Sequence, residues 1–124
     1  MMEQQKLAGA RVLIVEDDAL SALVAQEMLA ELGCSVTGVA VSVDQALAEI
    51  NRKQPLDCVM LDVRLGRELS SDIATYLLQQ NLPFIICSGY DIKLPGMNIP
   101  VVDKPYTVAA LAQALSRAIT QKVQ

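Results

Sequence analysis

Apolar residues cluster along this chain in two distinct rhythms. Val12-Leu13-Ile14-Val15, Val59-Met60-Leu61 and Phe84-Ile85-Ile86-Cys87 are unbroken apolar runs of three to four residues, bounded by polar or turn-forming positions. Such runs read as strands buried on both faces of a sheet. Val36 to Val41, with β-branched Val36, Thr37 and Val39, is a further strand candidate, and Pro100-Val101-Val102 a short fifth. Between these runs the period lengthens. Leu20, Leu23, Val24, Met28 and Leu32 recur at helical spacing up to Gly33, a natural helix stop. Ser42 is placed to cap a helix whose Val43, Ala46, Leu47 and Ile50 share one face. Ser70 or Ser71 opens a third helix, running to Asn81 with Ile73, Tyr76 and Leu77 inward, and Thr107 opens a last one with Val108, Leu111, Leu115 and Ile119 on one face. Strand and helix therefore alternate, which predicts an α/β fold: a doubly wound five-stranded parallel sheet with helices on both faces. The connection 90–99 is the exception, because Pro95-Gly96 would break a helix after at most about a turn and a half.

Composition narrows the function. The 124 residues are 52% hydrophobic and 19% charged, enough apolar surface for one packed core and too much for a disordered chain. We expect a single domain over 1–124, with residues 1–10 a polar lead-in and the core at about 11–120. The net charge of −4, without any Lys/Arg cluster, argues against nucleic-acid binding. No apolar run approaches the ~20 residues of a membrane span, and the first residues lack the apolar stretch of a signal peptide. Cys34, Cys58 and Cys87 fit neither zinc-site nor disulfide spacing and read as buried hydrophobes. That points to a reducing, cytoplasmic setting.

The polar residues that follow the apolar runs carry the chemistry. Glu16 and Asp17 follow the first run, Asp62 the third, Ser88 the fourth, and Lys104 the fifth. A parallel sheet gathers the carboxyl ends of its strands at one edge, where ligands bind. Taken alone, Asp62 could equally cap the next turn. Together, carboxylates so close repel, and a hard divalent cation with oxygen ligands, Mg²⁺ by preference, is the simplest remedy. Lys104 and the Ser88 hydroxyl then remain to hold a phosphate. An Asp nucleophile, a metal, a Lys and a hydroxyl describe phosphoryl transfer onto a carboxylate. Asp18 reads as a solvated residue of the first helical turn, Arg67-Glu68 as an exposed loop, and Tyr106 as a packing residue.

This arrangement of Glu16-Asp17, Asp62, Ser88 and Lys104-Pro105 resembles the receiver domain of response regulators, from Arg11 to Ile119. The resemblance implies a flavodoxin-like sheet of order 2-1-3-4-5 and a signalling domain that is no enzyme beyond its own phosphorylation and dephosphorylation. It implies Asp62 as phosphoacceptor, Asp17 as a direct Mg²⁺ ligand, Glu16 holding metal-bound water, and the Arg64 carbonyl completing the protein's share of the metal shell. Ser88 and Lys104 would contact the phosphoryl group. The donor would be a histidine kinase or histidine phosphotransfer protein. Gly66 stands where most receivers have proline, and 90–99 where they have a regular fourth helix. With Phe84 through Ser88-Gly89-Tyr90, these departures are similar to a largely single-domain subclass named for its Phe-Ala-Thr-Gly-Tyr-like run. Val101 occupies the position of the usual switching aromatic, so residues 89–99 are expected to act as the switch. Output through a protein target, or service as a phosphate sink or shuttle, both remain open. The alternative from another class is a haloacid-dehalogenase-like phosphatase, which wants a second Asp where Arg64 stands.

Overall fold

The computed structural model describes residues 7–52, 54–66, 68–89 and 98–122. Among these residues seven strands form, β1 (Arg11–Val15), β2 (Ser35–Ala40), β3 (Cys58–Asp62), β4 (Arg64–Leu65), β5 (Glu68–Leu69), β6 (Phe84–Ser88) and β7 (Val101–Asp103). Four helices accompany them among the described residues, α1 (Ala19–Glu31), α2 (Val43–Asn51), α3 (Ser71–Gln79) and α4 (Val108–Lys122). Five of the strands pair in the order β2-β1-β3-β6-β7, every pairing parallel. This is the expected doubly wound order 2-1-3-4-5, with the two extra strands set apart. The degenerate fourth helix and the switch expected at 89–99 fall mainly on 90–97, outside the described residues.

Alternation along the central strands splits the core in two. Val12, Ile14, Met60 and Cys87 join Ala25 and Leu29 of α1 and Leu111 and Leu115 of α4. Leu13, Leu61, Phe84 and Ile86 join Ala46 of α2 and Ile73 and Leu77 of α3 on the other face. Leu13, Leu61, Leu111 and Leu115 are all at most 1% exposed. No described helix is long and apolar enough to cross a membrane.

Helix starts follow the sequence reading in two places. Ser42 Oγ accepts from the Gln45 amide at 3.1 Å, and Thr107 Oγ1 accepts from the Ala110 amide at 3.0 Å. Ser70 departs from it. Its side chain does not cap α3 but donates to the Val63 carbonyl at 3.0 Å, tying the helix start back to the end of β3.

Three further expectations need correction. The apolar spacing that marks α1 in the sequence is only partly a core face: Leu20, Leu23 and Val24 are 69%, 50% and 40% exposed, while Ala22, Ala25 and Leu29 are buried. Apolar residues run nearly all the way round α1, so spacing alone gives it no direction. The alanine side lets the helix backbone approach a sheet face already filled by Val12, Ile14 and Met60. Leu7, placed in a polar lead-in, is fully buried in the α1/α4 core. Finally, the segment around Glu68 is not a plain loop. β4 and β5 form an antiparallel hairpin, Arg64 opposite Leu69 and Leu65 opposite Glu68. Gly66 in its turn has φ +61°, a left-handed conformation that costs other residues about 1–2 kcal/mol.

Candidate functional site

The site is made by the ends of four strands, β1, β3, β6 and β7. In β3, Met60 faces the α1/α4 side, and the two-residue alternation continues to Asp62 on the same side; Ile14 and Glu16 repeat this on β1. Parallel register sets Ile14 beside Met60 and Val15 beside Leu61, so Glu16 and Asp62 emerge as neighbours. Asp62 pairs with Cys87 on β6, which brings Ser88 to the same edge. Ser88 pairs with Asp103 on β7, and its carbonyl accepts from the Lys104 amide at 2.7 Å.

Glu16, Asp17 and Asp62 each offer a carboxylate oxygen within 4.8 Å of the other two. Their roles are already differentiated. Glu16 is buried and both its oxygens are engaged: Oε1 accepts from Lys104 Nζ at 2.6 Å, and Oε2 from the Asp18 amide at 3.2 Å. Asp17 is exposed. Asp62 lies between them, its Oδ1 3.3 Å from Lys104 Nζ. Burial, with Glu16 beside it, pushes the Asp62 carboxyl up to about 6, although Lys104 acts the other way. Burial also works against the Lys104 ammonium, but the hydrogen bond it donates to Glu16 and the Asp62 charge outweigh it and hold its pKa above the usual lysine range. Three carboxylates facing one ammonium leave an excess of negative charge in a partly desolvated place. Hard oxygen donors in that arrangement fit a divalent cation such as Mg²⁺.

Above these groups opens a cleft of about 440 Å³, lined by Asp17, Asp62, Arg64, Gly66, Ser88 and Lys104 among others. Every residue singled out from the sequence for this chemistry therefore lines one cleft. Asp18 also lines the cleft, but its carboxylate is engaged by the helix. It is the N-cap of α1, its carboxylate accepting from the Ser21 amide at 2.8 Å, and this bond keeps its pKa low. Gly66, which the sequence singles out only as a departure from the family pattern, also lines the cleft. A Cβ there would stand 3.7 Å from Asp17 Oδ2, so the hairpin turn backs directly onto the carboxylate cluster. Its sequence signal is a glycine in a two-residue loop between Leu65 and Glu68. A second cleft of about 140 Å³, lined by Leu77, Leu82, Phe84, Ile99 and Ala118, is apolar and holds none of these groups.

Against this geometry the relatives are informative. Residues 12–116 match the family described as the response regulator receiver domain, and the chain belongs to that family. It is 27% identical over 120 residues to the transcriptional regulatory protein PdtaR of Mycobacterium tuberculosis, covering 90% of this chain and 57% of that protein. Among solved structures it resembles SdrG from Sphingomonas melonis Fr1, with 31% identity, TM-score 0.77, and coverage of 90% of this chain and 97% of that one. The response regulator PhyR from Brucella abortus shares the fold at TM-score 0.82 and 24% identity, covering 98% of this chain and 52% of that one. The chain thus spans little more than half the length of PdtaR and PhyR.

Proposed function

We propose that this receiver domain accepts a phosphoryl group on Asp62 from a histidine kinase or histidine phosphotransfer protein of a two-component system, and that the product switches a protein-interaction surface. The observation that carries the reading is the Asp62 carboxylate, half desolvated beside Glu16 and Asp17 and 3.3 Å from the Lys104 ammonium, at the floor of an open cleft. In the transfer, an Asp62 oxygen bonds to phosphorus while the phosphorus–nitrogen bond to the donor's imidazole breaks. The bonding pair leaves with the imidazole nitrogen.

Mg²⁺ would be held by Asp17 and Asp62 directly, by Glu16 through water, and by the Arg64 carbonyl. Bound there, the ion supplies the positive charge that lets an anion approach this acidic cleft. Glu16 suits the indirect role because both of its oxygens already have partners in the chain. Lys104 and Ser88, which line the same cleft, would hold phosphoryl oxygens. The run Phe84 through Tyr90 supports membership of the largely single-domain subclass, acting in the cytoplasm on protein partners and not on nucleic acid or membrane.

Intact-mass measurement with acetyl phosphate tests the reading. One phosphoryl group per chain is expected with Mg²⁺, none with a chelator, and none in Asp62→Asn. Incorporation that persists in Asp62→Asn would remove Asp62 as the acceptor.

A further inference from the structure

The β4–β5 hairpin stands immediately after Asp62, and its ladder decides what it offers to the cleft. The Ser70 amide donates to the Val63 carbonyl at 3.0 Å, so Val63 and Ser70 form a hydrogen-bonded pair. Bonded and unbonded pairs alternate along an antiparallel ladder. Arg64 and Leu69, the next pair, therefore exchange no bonds and turn their amides and carbonyls outward. Among the described residues the cleft is lined by Arg64 and Gly66, and by neither Glu68 nor Leu69. β4 is thus the strand on the cleft side, and the outward edge of Arg64 faces the space that Asp17 and Asp62 also line.

Three features hold that edge in place. Leu65, 3% exposed, anchors β4 in the core with Ile73 and Leu77. The Ser70 hydroxyl adds a second bond to the Val63 carbonyl at the base of the hairpin. At the tip, the chain reverses at Gly66 with φ +61°, where a Cβ would stand 3.7 Å from Asp17 Oδ2. One residue therefore both closes the hairpin and abuts the Asp17 carboxylate. Asp17 is exposed, and an exposed side chain must be ordered before it can hold an ion. The turn beside it removes part of that freedom in advance. Proline, with φ fixed near about −65°, cannot make this turn.

We propose that Gly66 is a positioning residue for the cation. The left-handed turn it permits holds the outward edge of Arg64 and the carboxylate of Asp17 at the same cleft, ready for one ion, without Gly66 itself being a ligand. This rests on the Mg²⁺ reading above, and it makes the affinity of the site depend on the hairpin as well as on the ligands.

Calorimetric Mg²⁺ titration of the whole chain, with urea unfolding of each variant in chelator, tests this. Gly66→Asn brings in a residue type that tolerates positive φ, and its affinity should stay within about 3-fold of the wild type. Gly66→Val adds the same Cβ but resists that φ, and Gly66→Pro forbids it. Both should weaken Mg²⁺ binding by about 10–100-fold, as the loss of a supporting residue does at a metal site. The urea midpoints of Gly66→Val and Gly66→Asn should lie close together, so that affinity and stability separate. Wild-type affinity in Gly66→Val or Gly66→Pro, or a loss in Gly66→Asn as large as that in Gly66→Val, would overturn the proposal. Affinity lost only where the urea transition is lost too would mean that the turn serves the fold and not the cation, and would also overturn it. A wild type that binds no Mg²⁺ is a separate result; it would overturn the Mg²⁺ reading and this one with it.

Discussion

α1 and α4 cover the same face of the sheet, yet they bury opposite kinds of residue. α4 turns its large side chains inward, Leu111 and Leu115 both 0% exposed, and leaves Gln113 and Arg117 in solvent. α1 turns alanines inward with Leu29 alone among its leucines, and leaves Leu20 and Leu23 in water. The difference shows what sets a helix's rotation. Where one face is polar, as on α4, solvation decides. Where every face is apolar, the decision passes to shape, and the face that lets the helix approach closest wins. Both helices begin beside the cleft, α1 just after Glu16 and Asp17, α4 just after Lys104. Their rotations therefore set the positions of opposing charges in the site.

The sharpest way to break this contrast is truncation on the two sides of α1. Leu29→Ala should cost about 2–5 kcal/mol by urea unfolding, the loss of a buried leucine plus its cavity. Leu23→Ala should stay within about 0.5 kcal/mol, as an exposed position does. Equal costs would mean that α1 is rotated differently from the structure described here. Next in size is Ala25→Leu, which puts a large side chain where close approach is needed; it should destabilise by about 1–3 kcal/mol. A small effect there would show that α1 has room to spare and that shape does not govern its rotation.

On the α4 side, Thr107→Ala removes the cap on the Ala110 amide and should cost about 1 kcal/mol in the same assay. The last test leaves both helices alone and addresses the charges between them. The carboxyl of Asp62 is raised from 3.8 to about 6, so in this interval the folded chain holds a proton that the unfolded chain releases. Its contribution to stability is thus complete below pH 4 and lost as pH rises through 6. In chelator-treated protein, Asp62→Asn should raise the Tm at pH 7.5, a gain on the order of 1 kcal/mol after allowing for solvent screening in the open cleft. The gain should fade toward pH 4. A gain of the same size at both pH values would disconnect it from Asp62 ionisation.

Much of this was legible in the residues. The runs ending at Val15, Leu61 and Cys87 are apolar on both faces, and nothing but a strand in the middle of a parallel sheet explains such runs followed by carboxylates or a hydroxyl. Once the strands are parallel, Glu16, Asp17, Asp62, Ser88 and Lys104 must share an edge, so the composition of the site follows from order alone. Less was legible where two solutions have similar local energies. Leu20, Leu23 and Val24 have the same periodicity as a core face, and their exposure is decided by the sheet opposite them. Leu7 carries no periodic neighbours to announce it, and it is buried because the chain before β1 crosses the end of α1, where the Gly9 amide donates to the Gly33 carbonyl at 2.8 Å. Ser70 offered a cap, but the nearby Val63 carbonyl competed for its hydroxyl and won. The β4–β5 hairpin is two residues long on each side, below the length at which alternation is visible.

The strand order has a kinetic consequence. Glu16, Asp62, Ser88 and Lys104 are separated by tens of residues in the chain, and they meet only after β3 has paired with β1 on one side and β6 with β7 on the other. Each of those pairings closes a long loop, whose entropy must be overcome before any contact rewards it. The carboxylates and the lysine come together only when β1, β3, β6 and β7 are all paired. On the proposed function, reactivity toward a phosphodonor would therefore require all four of these strands to be paired, and labelling a refolding population with acetyl phosphate would report that pairing.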